Sequence, residues 1–162
     1  MEMLDIVDSG DNVIGLVSKE DAYKKLLCHR ISHVLIFNDE GKMALQLRSN
    51  NVSFCPNHWS TAVGGHVQAG ETYKQAAARE YSEELGANSS IELVGKDFYQ
   101  VPDSPDKFIS VFKTSFNGPF RPDLGVVERV DFFSIDEITK MISEGEKFHP
   151  ELLYILKKYF SI

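Results

Sequence analysis

One stretch constrains this chain more than any other: Gly65 to Ala87, reading GHVQAGETYKQAAAREYSEELGA. From Thr72 to Leu85 it contains no Pro or Gly and is dense in Ala, Glu, Lys and Gln, which enter a helix at little cost. Gly86 stands where a helix C-terminus calls for a left-handed residue, so the stretch predicts one helix closed by that glycine. Such a helix sets Glu80, Glu83 and Glu84 at i, i+3 and i+4, on one face. Carboxylates so close repel one another, and a bound cation resolves the conflict. Mg²⁺ and Mn²⁺ suit this role, since they take oxygen ligands and bridge to phosphates. Arg79 sits beside the cluster and can orient a carboxylate through its planar fork; Glu71, near the helix start, is the partner in reach. Gly64, Gly65 and Gly70 flank a short strand and loop where the backbone can approach a ligand.

At 162 residues the chain predicts a single domain, 1–162, with length enough to bury a core. A net charge of −7 argues against a nucleic-acid polymer as partner. It leaves room for a small phosphorylated substrate, because a divalent metal locally reverses the field. No apolar run approaches the ~20 residues of a membrane span, and the acidic start MEMLDIVDSGD lacks the basic region of a signal peptide. Cys28 and Cys55 form neither a disulfide framework nor a CxxC pair, so a reduced cytoplasmic protein is expected. Homodimers are the common default for such a chain.

Alternation in Met3 to Val17 around the turn Asp8-Ser9-Gly10-Asp11 predicts an N-terminal hairpin, and Ser18 caps a short helix to about Cys28. The apolar, β-branched run Ile31–Phe37 reads as a buried strand, with 43–48 as its antiparallel partner across Asp39–Lys42. Asn50 to Ser60 is a loop, and its Trp59 reads as a core anchor, with base stacking as the alternative. Strands follow over 91–101, 108–116 and 126–133, with a loop from Asn117 to Gly125. Ser134-x-x-Glu137 is a capping box for a helix to about Ser143, and Pro150 opens a last helix with an apolar stripe of Leu152, Leu153, Leu156 and Phe160. Strands before and after a central helix predict an α/β (α+β) layout, a mixed central sheet covered by helices on both faces.

The spacing of Gly65, Glu71, Arg79, Glu80, Glu83, Glu84 and Gly86 resembles the signature of the Nudix hydrolases, G-x5-E-x7-R-E-U-x-E-E-x-G-U, in which U is bulky and apolar. All seven fixed positions match; Tyr81 and Ala87 occupy the U positions. Charge runs are usually solvated helix faces, but a run of fixed spacings this long is a specific signal. The resemblance implies an α/β/α sandwich and hydrolysis of a diphosphate. It also implies Mg²⁺ or Mn²⁺ held by Glu80, Glu83 and Glu84 with the Gly65 carbonyl, one glutamate serving as base, and a further acid recruited from a late strand. Glu128 is the residue expected for that role. Gly64, Gly65 and His66 are expected to touch the substrate; Arg48, which ends a strand near the same sheet edge, either holds a phosphate of it or pairs with an acid on the surface.

Outside that box the first half of the chain resembles isopentenyl-diphosphate isomerases and their hydrolase relatives, through Gly15 to Lys19, His29 and the pair Gly65-His66. Those isomerases carry a catalytic Cys just before the Gly-His pair, where this chain has Gly64, and an early metal-binding His, where it has Tyr23. Isomerisation needs an acid and a base across an allylic skeleton, and the thiol fills one role. The residues therefore favour an isomerase-like hydrolase. Isopentenyl-diphosphate isomerase and a catalytically silent diphosphate-binding module are the alternatives. His29 and His66 fall at positions that bind a second metal in the isomerases, but with Tyr23 and Gly64 in the other places that site is incomplete, and substrate contact or plain hydrogen bonding is the other reading of the two rings.

Overall fold

The structure, a computed structural model, describes residues 1–162. Its centre is β3 (His29–Phe37), and alternation along this one strand builds both faces of the molecule. Ile31 and Leu35 point to one side, into a core shared with Ile138, Met141, Leu152, Ile155 and Leu156. Val34 and Ile36 point to the other, against Ala77, Tyr81 and Leu85. The first core lies under α3 (Ile135–Ser143) and α4 (Pro150–Phe160), the second under α2 (Tyr73–Leu85). This is the expected sandwich with helices on both faces of a sheet.

The sheet has seven strands and is mixed. Along one side of β3 run β6 (Val63–His66), antiparallel, and the hairpin partner β4 (Met43–Arg48), which meets it at Phe37↔Met43. Along the other side runs β8 (Lys107–Ser115), parallel, in register from His29↔Lys107 to Phe37↔Ser115. β7 (Glu92–Tyr99) pairs with β8, while β5 (Trp59–Thr61) and β9 (Val127–Phe133) both pair with β4. The strands β1 (Met3–Val7) and β2 (Val13–Ser18) form the separate N-terminal hairpin.

Ser18 caps α1 (Lys19–Lys24), but that helix stops short of Cys28. Leu26 adopts φ 54°, a left-handed conformation that ends a helix, and the chain then feeds His29 into β3 two residues earlier than the apolar run suggests. The pairing of His29 with Lys107 holds that extension in place, and this is a long-range contact that no local pattern shows. Trp59 is a core anchor: it is buried, packs edge-on against Phe133 and donates its indole N–H to Glu146.

Both ends of α2 follow from sequence chemistry. Thr72 and Gln75 form a reciprocal capping box, and Gly86 closes the helix at φ 60°. A Cβ at Gly86 would lie 2.9 Å from Arg121 Cβ and 3.0 Å from the Arg121 carbonyl oxygen. Gly86→Ala therefore combines left-handed strain with a backbone clash, and an expected loss of about 2 kcal/mol should appear in urea unfolding. An unchanged midpoint would mean that the 121 loop moves freely away.

Candidate active site

Because α2 is regular, Arg79, Glu80, Glu83 and Glu84 emerge within two turns, and β6 brings the glycines against them. The Arg79 guanidinium uses all five of its N–H groups. It forks onto Glu71 (Nε to Oε2 2.7 Å, Nη2 to Oε1 2.9 Å) and donates to Glu80 (2.8 Å), Glu83 (3.3 Å) and the His66 carbonyl (3.0 Å). Glu71 also accepts from the Gln68 N–H, and the Arg79 hydrogen bonds hold its carboxyl below the usual range. The arginine thus ties the loop before α2 to the helix and fixes the direction of two of the three clustered carboxylates.

Glu80 and Glu84 face each other across the floor of a cavity of about 730 Å³. Burial pushes both carboxyls upward, and for Glu84 the neighbouring charge of Glu80 adds to it. Gln46 of β4 donates to Glu84 at 3.0 Å, and the Gly64 N–H supports the same carboxylate. Gly65 lies so close that a Cβ there would overlap the Glu80 carboxyl group, so any larger residue would push that side chain from its place beside Arg79. Glu83 is turned outward, more than half exposed, and reaches Arg79. Glu128 is exposed on β9 and is not part of the cavity wall, so the late-strand acid expected there stands apart from the glutamate pair. Arg48 does line the cavity. Its guanidinium donates twice to the Phe54 carbonyl (3.0 and 2.9 Å), which holds the 50–58 loop at the rim instead of pairing with a surface acid.

His29 and His66 stack at 5.5 Å between ring centroids, with Tyr23 against both. Tyr23 OH lies 2.6 Å from His66 Nε2, so the tyrosine occupies the nitrogen that a second metal would need. His29 is 0% exposed and gives its Nδ1 proton to the Leu27 carbonyl (2.8 Å), which leaves Nε2 as a buried acceptor with no partner. Burial lowers the pKa of His29 to about 4 and of His66 well below its usual value, so both rings are neutral at pH 7.

Sequence reasoning missed the opposite wall. There Glu151, in the first turn of α4, accepts from His33 Nε2 (2.8 Å) and Lys107 Nζ (3.0 Å) while almost fully buried. His33 Nδ1 meets Thr61 Oγ1 at 2.7 Å. A polar side chain inside the apolar run ISHVLIF was the available signal for His33; Lys107 and Glu151 had none, since each is a single charge whose partner is distant in sequence.

Gly64 occupies the position of the isomerase thiol. A Cβ there would sit 3.0 Å from His33 Nδ1, and His33 is held from both sides by Thr61 and Glu151. Neither native cysteine lines the cavity, and burial pushes the Cys28 thiol up to about 11. Gly64→Cys is accordingly expected to lower stability by about 1–3 kcal/mol through overpacking and to create no isomerase activity. Conversion of isopentenyl diphosphate by that variant would show that the thiol alone separates the two chemistries.

Comparison with known proteins gives the family and the fold. The NUDIX domain model matches residues 28–154. An uncharacterized Nudix hydrolase of Nostoc sp. is 28% identical, over 99% of this chain and 97% of the relative. An isopentenyl-diphosphate Delta-isomerase of Serratia proteamaculans is 31% identical, over 96% of this chain and 90% of the relative. Among solved structures, DR0079 from Deinococcus radiodurans superposes with a TM-score of 0.83 at 23% identity, covering 97% of this chain and 98% of that one. A domain match over most of the chain, full-length relatives and a shared fold lead to one conclusion: this chain belongs to the Nudix hydrolase family.

Proposed function

We propose that this protein is a divalent-metal-dependent hydrolase that cleaves a diphosphate linkage in a nucleoside diphosphate derivative or a related small molecule. The observation that carries this reading is the Glu80–Glu84 pair. Two largely buried carboxylates share one cavity, each raised by burial; Arg79 reaches Glu80, and no cationic side chain pairs with Glu84. Such a pair fits Mg²⁺ or Mn²⁺, because a hard dication removes the repulsion and accepts an all-oxygen set. Glu80 and Glu84 would hold the ion, joined by the Gly65 carbonyl and by Glu83 once it leaves Arg79.

When bound, the cation neutralises phosphate charge and lowers the pKa of a coordinated water. The chain supplies the rest. Arg79 fixes Glu71, Glu80 and Glu83 in one hydrogen-bonded frame, so little reorganisation is needed when phosphate enters. A carboxylate of the pair takes the proton from the attacking water as the bond from phosphorus to the leaving oxygen breaks. The wall residue Arg48 and the rim residue Phe54, 56% exposed, meet the departing part of the substrate. The free thiols of Cys28 and Cys55 fit a reducing, cytoplasmic setting.

The experiment is phosphate or nucleoside monophosphate release from nucleoside triphosphates, sugar nucleotides, dinucleotides and isopentenyl diphosphate, with Mg²⁺, Mn²⁺ or chelator. Metal-dependent release is the expected result and identifies the leaving group. The Serratia relative keeps isomerisation as a second reading, and production of the allylic isomer without hydrolysis would establish it instead.

A further inference from the structure

The cavity has a second charged wall besides the Glu80–Glu84 floor. Its charges are the Lys107 ammonium and the Glu151 carboxylate, which meet at 3.0 Å. His33 Nε2 lies 2.8 Å from the same carboxylate, and Thr61 Oγ1 lies 2.7 Å from His33 Nδ1. Burial opposes a charge on Glu151, yet the His33 hydrogen bond and the Lys107 charge hold its carboxyl well below the usual range. The cation of this wall that lines the cavity is Lys107.

Lys107 is 6% exposed, lines the cavity and makes one side-chain hydrogen bond, to Glu151 at 3.0 Å. An ammonium has three N–H groups, so two are left to face the cavity and the Tyr23 ring, whose centroid is 5.2 Å away. A buried lysine with a donor to spare, clamped in place by a carboxylate that His33 also holds, is a preorganised anion receptor.

We propose that Lys107, fixed by Glu151 and backed by His33, binds a second anionic group of the substrate, a phosphate or carboxylate carried on the part of the molecule away from the phosphorus attacked at Glu80 and Glu84. This selects diphosphate compounds that bear a further negative charge over those ending in a neutral group. The inference deepens the hydrolase reading and rests on it for the word substrate. The anion site itself stands on the wall alone.

The test separates the two. Inorganic phosphate is titrated into chelator-treated protein by calorimetry, comparing wild type, Glu84→Gln, Lys107→Met and the double variant Lys107→Met/Glu151→Gln. The double variant removes one buried positive and one buried negative charge together, so folding survives even where the single one leaves Glu151 without the lysine cation. Wild type and Glu84→Gln are expected to bind phosphate without metal, and the double variant to bind about tenfold to a hundredfold more weakly. In turnover, the double variant should raise KM by the same factor for substrates with the additional anion. It should leave kcat, and KM for substrates without it, unchanged, a split that a structural role would not produce. No metal-free phosphate binding by wild type, or equal binding by the double variant, overturns the proposal. Loss of hydrolysis on the whole panel with phosphate binding intact would count against the hydrolase reading and leave the anion site standing.

Discussion

Replacing Glu84 by Gln is expected to lower kcat/KM at least about a hundredfold, since even outer partners of a metal site cost tenfold to a hundredfold and Glu84 would be a direct ligand. The same change should leave the chelator-treated protein as stable as wild type, or more so. Glu84 is buried beside Glu80, and both burial and that neighbouring charge oppose its ionisation. Gln is nearly isosteric, keeps an acceptor for the Gln46 amide and the Gly64 N–H, and removes the repulsion. Mg²⁺ or Mn²⁺ should then raise the melting temperature of wild type and not of the variant, because only a ligand that prefers the native state stabilises it. Wild-type turnover by Glu84→Gln would remove this residue from the site. A fall in melting temperature would recast it as structural.

The second large effect concerns Glu151. Its removal as Glu151→Ala strands the buried Lys107 ammonium and leaves His33 Nε2 without its partner, and should cost on the order of 3–5 kcal/mol. For a chain of this size that is a drop of roughly 6–20 °C in Tm. Acid should act on the same region through several groups. Burial lowers the pKa of His29 and of His149 to about 4, so each binds its proton more readily in the unfolded chain. Stability is therefore full above the ordinary histidine value and declines as pH falls from about 6.5 toward 4, by on the order of 3 kcal/mol for each ring. Glu151, with a carboxyl held low in the folded state, contributes above the ordinary glutamate value and loses that contribution at still lower pH. Urea midpoints at pH 7.5, 6 and 4.5 check the sign. Equal stability at pH 7.5 and 4.5 would mean that these histidines reach water in the native protein.

Much of the fold was legible because its elements carry local chemistry. Alternation around Gly10 marks the hairpin, the capping residues Ser18 and Ser134 start their helices, Gly86 ends α2, and Pro150 opens α4. Half of the site was legible for the same reason. Arg79, Glu80, Glu83 and Glu84 lie on one helix, so their spacing alone states that they share a face, and Glu71 is one loop away.

The other half depends on contacts distant in sequence. β3 pairs in parallel with β8, which sets His29 beside Lys107, and only the closed sheet puts Lys107 within reach of Glu151 on α4. Tyr23 meets His66 because the hairpin and α1 fold back on the sheet. Periodicity and spacing report which residues share an element, whereas an ion pair between strand and helix reflects how layers stack. The sequence by itself determined the carboxylate helix, its arginine and the layered architecture. Tertiary structure alone decided which glutamates pair, that Glu128 lies outside their cavity, and that a buried Lys107–Glu151 ion pair lines it, since burial and partner choice, unlike spacing, exist only once the chain has closed on itself.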